Sequence, residues 1–326
     1  MRESSEEVEF NQSMFQKALD EVSKKKPGQY DFILKSGNSY KDALFKLFKK
    51  VWEKEKKPES WRRTTILQIP KGTGEVGDMT MMRNIHLKHP IPKLFGHILM
   101  NQVKDKLMES MTKFQLGTKK GHRPQEHIFV LKSVMALYEM YKEGLLINLF
   151  DISKFFDKEE LHDVLGEAYS GGLRGKYYKL MYEVNKNTII KVRTAIGETE
   201  EACLDPGLGQ GGVESGILSA KSLDKGVDDY FSDCTSNVSY GRVIIKSLLW
   251  QDDILKANAS IKDAQECNIR MEAVVNSKML EFNKKKSVFL VVGNKKFQEK
   301  IDNQLKESPL LLCNEKMLKV EKYPYL

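Results

Sequence analysis

Two apolar runs that end in carboxylates constrain this chain more than any other feature. One is Leu145-Leu-Ile-Asn-Leu-Phe-Asp151, and the other, further along, is Ile244-Ile-Lys-Ser-Leu-Leu-Trp-Gln-Asp252-Asp253-Ile-Leu255. Each reads as a buried strand. An acidic side chain among Leu, Ile, Phe and Trp is costly to desolvate unless a cation or donor compensates it. Adjacent aspartates also repel each other unless a divalent ion neutralises both. Burial and repulsion together point to magnesium.

The surroundings are those of an ordinary globular protein that favours polyanions. The 326 residues are 40% hydrophobic and 30% charged, enough for two or more packed modules. Lys and Arg number 53 against 45 Asp and Glu, so the net charge is +8. That excess suits a nucleic-acid partner without identifying one. Cys203, Cys234, Cys267 and Cys313 form no C-x-x-C pair and read as reduced thiols. The acidic start MRESSEEVEF has no apolar h-region, and no run approaches the roughly 18 apolar residues of a membrane span. An intracellular protein, nuclear or cytoplasmic and neither secreted nor membrane-inserted, is expected.

Periodicity predicts helices over Lys41 to Lys56, Ile91 to Met111 and Gln125 to Lys142, the last ended by Gly144. A further helix is expected from the capping-box-like Ser260-Ile-Lys-Asp263, with Ala264, Cys267, Met271, Val274 and Met279 inward. Thr64 to Pro70 and Ser287 to Val292 read as strands, and Lys71-Gly-Thr-Gly-Glu-Val-Gly-Asp78 as the turn of a strand-loop-strand flap. The simplest geometry for Trp250-Gln-Asp252-Asp253 is a hairpin whose tight turn presents both aspartates beside Asp151. Nucleotidyl transfer uses such an arrangement, with shared carboxylates holding two ions roughly 3.5–4 Å apart. Taken singly, Asp151 also reads as a helix N-cap and Asp252-Asp253 as turn residues. Against the latter, Asp-Asp is a poor two-residue turn compared with Asn-Gly or Asp-Gly.

Four segments in register carry a family likeness. Phe150-Asp151-Ile-Ser-Lys-Phe-Phe-Asp157 resembles motif A of retroelement reverse transcriptases, and Trp250-Gln-Asp252-Asp253 resembles their Tyr-x-Asp-Asp box. Gly212-Val-Glu-Ser-Gly216-Ile-Leu-Ser-Ala220 is similar to motif B, and Phe282-Asn-Lys-Lys-Lys286-Ser to the Asn-x-x-Lys-Ser/Thr segment of non-LTR enzymes. Upstream, Pro58-Glu-Ser-Trp61, Ile69-Pro-Lys71, Met82-Arg83-Asn-Ile-His-Leu87 and Phe114-Gln115-Leu-Gly117 through Gly121 resemble the family's fingers segments. The likeness spans roughly Lys24 to Leu326 and is greatest to non-LTR, LINE-like elements. It implies an α+β right-hand polymerase fold: helical fingers over 1–143, interleaved with a ferredoxin-like palm over 144–326, and no thumb.

Roles carried over by this resemblance fall on single residues. Asp151, Asp252 and Asp253 would be catalytic and hold two Mg2+ ions, or Mn2+, with the Ile152 carbonyl a further ligand. Lys71 and Arg83 match the triphosphate contacts, where a guanidinium suits a bidentate clamp. Phe156 matches the steric gate that excludes a ribose 2′-OH, and otherwise reads as a core phenylalanine. Ser215 and Gly216 would flank the incoming dNTP, and Lys286 would face the departing pyrophosphate. Lys119, Lys120 and Arg123 are candidates for the template backbone, and Trp250 sits where an aromatic meets the primer end. Lys71, Arg83 and the Lys119–Arg123 run also read as solvated charges, and the basic run Lys284 to Lys286 is more often a solvated face than a catalytic group. The six histidines form no metal-ligand set. Gly207-Leu-Gly209-Gln-Gly-Gly212 meets the G-x-G-x-x-G spacing but lacks a βαβ setting, so a dinucleotide fingerprint is set aside.

The pattern departs from the family at Trp250, Ser215 and Ala220, where Tyr or Phe, Gln and Pro are usual. The chain also reaches Lys322-Tyr-Pro-Tyr-Leu326 where the family's Tyr-Leu-Gly motif would begin, so a missing thumb, alone or with an endonuclease module, is expected to belong to a parent polyprotein. Three functions follow: an RNA-directed DNA polymerase core using an RNA template, a DNA primer and dNTPs; a catalytically dead, thumb-less relic that binds nucleic acid; and another two-metal enzyme such as a nucleotide cyclase.

Overall fold

The computed structural model describes residues 8–24, 28–71, 82–194, 196–204, 208–234 and 238–322. The chain forms two compact units, each built from two stretches: 1–110 with 159–218, and 111–158 with 219–326. The expected division at 143/144 does not coincide with this one, because residues 111–143 belong with the second unit and 159–218 with the first. The reason is packing. Helix Pro124–Met140 buries Val134 against Leu145, Ile147 and Leu149 of the strand that follows it.

In the first unit, helices Gln12–Ser23, Asn38–Lys54, Pro90–Glu109, Leu161–Ser170 and Gly175–Asn185 share one core. Pro90–Glu109 is its axis. His89 caps it and proline occupies its first turn, where a missing N–H costs nothing. Its buried residues, from Leu94 through Leu107, lie on nearly every side, as in a helix surrounded by protein. Phe48 and Phe95 meet at 5.3 Å and Phe15 tilts edge-on to Phe48 at 5.8 Å. Strand Arg63–Pro70 pairs antiparallel with Met82–Lys88 and parallel with Thr188–Thr194. These first two strands are those of the expected strand-loop-strand flap, and its loop lies, apart from Lys71, outside the described residues.

The second unit holds a five-stranded sheet in the order Leu318–Lys319, Val288–Val292, Leu145–Phe150, Asp253–Asn258, Leu248–Trp250. All neighbours are antiparallel except the first pair. With helices Ser215–Phe231 and Ile261–Ser277 the chain runs strand, helix, strand, strand, helix, strand, the ferredoxin-like connectivity. The sheet is covered on both faces, so Leu145–Phe150 is buried at every position and reads as a continuous apolar run. Leu146 and Phe150 pack with Leu223, Val227, Cys267, Met271 and Val274 of the two helices. Asn148 is tolerated there because its amide donates to the Ala264 carbonyl and Asn268 Oδ1 at 3.1 and 2.7 Å.

The Ile261–Ser277 helix starts as its capping sequence requires. Ser260 Oγ accepts from the Asp263 amide at 3.1 Å and lies 2.8 Å from its carboxylate. Met279, expected inward, is instead 59% exposed. The helix has ended at Ser277, and Met279 takes a left-handed φ of 52° that swings it out of the helical stripe.

A buried ion pair ties the first unit together. Lys88 Nζ donates to Glu214 Oε1 at 2.5 Å and to Asn185 Oδ1 at 2.8 Å, and both charged side chains are largely covered. Burial alone would raise the Glu214 pKa, but the Lys88 ammonium holds it below the usual range. Removing one partner leaves an uncompensated charge. Lys88→Met should therefore cost about 3–5 kcal/mol in chemical denaturation, while Lys88→Met with Glu214→Leu should recover most of it. A single variant as stable as wild type would contradict this assignment.

Candidate active site

The register of the two central strands sets the site. Ile254 pairs with Phe150, so Asp253 and Asp151 lie one step beyond that pair on neighbouring strands. Side chains directly opposite across such strands have Cβ atoms about 4.5–5.5 Å apart. Asp252 precedes them in the hairpin turn. Burial, then Asp252, then Asp151 push the Asp253 carboxyl up to about 6, and only Lys286 pulls the other way. Four of the residues singled out in the sequence thus share one electrostatic neighbourhood.

The turn differs from the sequence reading. Asp253 pairs with Trp250, so the two-residue loop is Gln251-Asp252 rather than Asp252-Asp253, and Asp253 already belongs to the strand. Gln251 takes a φ of 56°, a position for which glycine is the default. A left-handed conformation costs a non-glycine residue about 1–2 kcal/mol. Fully buried Gln115 offsets it: its side chain accepts from the Gln251 amide at 3.0 Å and donates to the Gln251 carbonyl at 3.2 Å. Two such bonds at about 0.5–1.5 kcal/mol each are of the right size. Sequence reasoning noticed Phe114-Gln115-Leu-Gly117 only as a likeness and missed this contact.

The same segment zips along the outer strand. Leu249 donates to the Phe114 carbonyl and Leu116 donates to the Leu249 carbonyl, each at 3.0 Å. Burial pushes the His127 imidazole down to about 4, opposed by its own bond to the Phe114 carbonyl. The neutral ring meets Trp250 edge-on at 6.2 Å. Trp250 is thereby oriented from the side of the Pro124–Met140 helix.

Asp151 is held by a different neighbour. Its amide donates to Ser287 Oγ at 3.1 Å, and its carbonyl accepts from the Asn283 amide at 2.8 Å and from Ser287 Oγ at 3.4 Å. Ile152 bridges to Phe282, and the Ser153 amide donates to the Glu281 carbonyl at 2.8 Å. The Asn283–Ser287 turn that presents Lys286 is therefore laced to the strand end that presents Asp151. Phe155 is the core phenylalanine of its short helix. Phe156 is half-buried and meets Phe155 edge-on at 5.4 Å.

The remaining candidates divide. Lys71, Arg83, Ser215 and Gly216 belong to the first unit. Arg83 is exposed opposite Ile69, and Lys71 follows the Pro70–Met82 pair, so both cations sit at one end of that strand ribbon. Ser215 is buried, with its hydroxyl donating to the Leu208 and Gly209 carbonyls at 3.2 and 2.8 Å, an engagement that the sequence did not indicate. Gly209 and Gly211, at φ 64° and 121°, lie so close to His86 that a Cβ would strike its ring or carbonyl. The glycine-rich loop is therefore a packing device around His86. In the second unit, Lys119 Nζ donates to the Thr112 carbonyl at 2.8 Å and to the Met111 carbonyl at 3.4 Å, which makes it a strap on its own loop. Lys120 and Arg123 are exposed.

Among the described residues no three His, Cys, Asp or Glu side chains are placed to hold a metal ion. The oxygens of Asp151, Asp252 and Asp253 are of the hard type that Mg2+ takes, and the three carboxylates are near enough to raise the Asp253 pKa. Among the described residues, no helix is long and apolar enough to cross a membrane.

No protein-family model matches the chain. Among solved structures it is similar to telomerase from Candida albicans in complex with a TWJ fragment of telomeric RNA, at 13% identity and a TM-score of 0.52. That match covers 78% of this chain and 46% of the other. It is also similar to apo telomerase from Candida tropicalis truncated from its C-terminal domain, at 13% identity and a TM-score of 0.50, covering 72% of this chain and 51% of that one. The chain spans about half the length of these proteins. The likeness shows that this mixed α+β chain shares its fold with those proteins.

Asp253 gives the site a pH signature. A carboxyl raised from 3.8 to about 6 on folding contributes stability below about pH 4, and that contribution is lost as the pH rises to about 6. In a chelating buffer, Asp253→Asn should melt about 2–4 °C or more above wild type at pH 7 and close to it at pH 4. Equal melting temperatures at pH 7 would rule out the repulsion.

Proposed function

We propose that this chain is the polymerase core of an RNA-directed DNA polymerase of non-LTR, LINE-like type, forming part of a longer protein. The observation that carries the proposal is the meeting of Asp151, Asp252 and Asp253 at adjoining strand ends, with Asp253 pushed up to about 6 by burial and its two neighbours. The reaction joins a primer 3′-oxygen to the α-phosphorus of a dNTP. The bond from that phosphorus to the β-phosphate oxygen breaks, pyrophosphate leaves, and the 3′-hydroxyl proton passes to solvent. What two bound magnesium ions supply is activation of the 3′-hydroxyl and neutralisation of the leaving charge.

The chain's own residues provide the rest. Asp151 and Asp252 would hold the ions, with Asp253 and the Ile152 carbonyl beside them. Phe156, half-buried beside core Phe155, would exclude a 2′-hydroxyl, and Trp250 would meet the primer end. Lys286, near enough to Asp253 to lower its pKa, would face pyrophosphate. Lys71 and Arg83 form a cationic ribbon end suited to a triphosphate, and Gly216 lies in the first turn of the helix that follows the glycine loop. The exposed cations Lys120 and Arg123 suit a template backbone, and Lys119 shapes the loop that carries them. In this reading the first unit serves as fingers and the second as palm.

A second reading has one observation in its favour: no three acidic side chains are placed to hold an ion among the described residues. A nucleic-acid-binding relic with the same fold would bind primer–template in a salt-sensitive way and incorporate nothing.

Primer extension on an RNA template separates the two. With Mg2+ and dNTPs the wild-type chain should extend the primer, and Asp252→Asn should abolish extension without loss of primer–template binding. Undiminished extension by Asp252→Asn would refute the metal assignment, whereas binding without extension by wild type would favour the relic. Phe156→Val should raise incorporation of ribonucleotides relative to deoxyribonucleotides, and an unchanged ratio would remove the gate.

A further inference from the structure

We propose that Gln115 is a positioning residue that holds the Gln251-Asp252 turn in its left-handed shape and so aims the Asp252 carboxylate. The proposal rests, for its kinetic consequences, on the polymerase reading above. Its structural content stands on separate observations.

Gln115 has no exposed surface, so it cannot touch primer, template or nucleotide and can act only through its neighbours. Two of its three side-chain contacts fall on the turn and the third on Gly117, which packs against that turn. The Oε1 atom accepts from the Gln251 amide at 3.0 Å and from the Gly117 amide at 3.1 Å, and Nε2 donates to the Gln251 carbonyl at 3.2 Å. One amide side chain thus grips both backbone groups of the single residue that has a positive φ in the hairpin. Gln251 returns the contact through its side-chain amide, 3.4 Å from the Gly117 carbonyl.

Gly117 completes the clamp by having no side chain. A Cβ there would lie 2.3 Å from the Gln251 nitrogen and 2.8 Å from the Trp250 carbonyl carbon, both backbone atoms that cannot step aside alone. The loop is therefore pressed against the catalytic turn as closely as backbone allows. Gln115 also bridges in parallel to Leu249, so the clamp is mounted on the strand that leads into the turn.

The alternative is that Gln115 merely satisfies buried backbone groups and contributes stability. A suppressor distinguishes the two, because glycine adopts positive φ without help. Gln115→Met keeps the volume and removes all three contacts. Its expected result is a fall in kcat of roughly 10–10²-fold, the range that a displacement near 1 Å produces, with KM for primer–template unchanged. Adding Gln251→Gly should restore much of kcat, and a loss of activity that Gln251→Gly leaves uncorrected would overturn the proposal.

Hydrogen exchange at the Gln251 amide provides a readout independent of catalysis. Gln115→Met should accelerate exchange there while core amides of Leu145–Phe150 keep their protection. Wild-type exchange at Gln251 in a folded Gln115→Met protein would overturn the proposal even if the enzyme were inactive. If wild type extends no primer, the polymerase reading fails and this arm alone decides the clamp. If Gln115→Met does not fold, Gly117→Ala displaces the same turn without removing a buried partner. It should produce the same fall in kcat and faster exchange at Gln251, and wild-type values for both would reject the clamp.

Discussion

The antiparallel pairing of Leu145–Phe150 with Asp253–Asn258 is the constraint on which the site depends. Side chains alternate along a strand, so a slip of one residue would carry the acidic group to the other face. Here both faces are buried, so a slip would move every side chain of the strand into packing shaped for another and take Asn148 from its two buried partners. Two helices on one face and the Pro124–Met140 helix on the other therefore fix where Asp151 meets Asp253, although none of them carries a carboxylate of the site.

Given that register, the acidic residues are held against their own repulsion. Burial and two neighbouring carboxylates push the Asp253 carboxyl up to about 6, a cost in the absence of a cation. The fold meets that cost locally. Ser287 brackets the backbone of Asp151 and Gln115 grips the turn before Asp253, so each strand end is secured by one fully buried polar side chain. Such second contacts matter because a reactive group displaced by about 1 Å can lose 10²-fold in rate. The same logic explains Gln251: a residue poorly suited to its φ persists where surrounding bonds over-determine it.

The first unit organises its functional candidates through packing around one strand. His86 on Met82–Lys88 receives the glycine loop, and Lys88 on the same strand receives Glu214 just before Ser215. Ser215 turns its hydroxyl onto the loop carbonyls, so the position that carries Gln in related motifs is here occupied by a structural contact. In this chain the serine closes its own loop.

Much of this protein was legible in the sequence by itself. The apolar runs ending in Asp151 and Asp252-Asp253, the helical stripe of Pro124–Met140 and the Ser260 cap are local patterns, and local patterns follow from the 3.6- and 2-residue periods of the backbone. They were enough for an α+β chain with an acidic strand edge. Tertiary structure alone decided the division into two interrupted units, the outward turn of Met279, the placement of Asp253 in the strand and the use of Gln115, Gly117, His127 and Ser287 as supports. Those four supports depend on contacts between residues more than a hundred positions apart, such as Gln115 with Gln251 and Asp151 with Ser287. A glutamine carries no periodicity and no charge to announce its partner, so only the folded chain reveals what it holds.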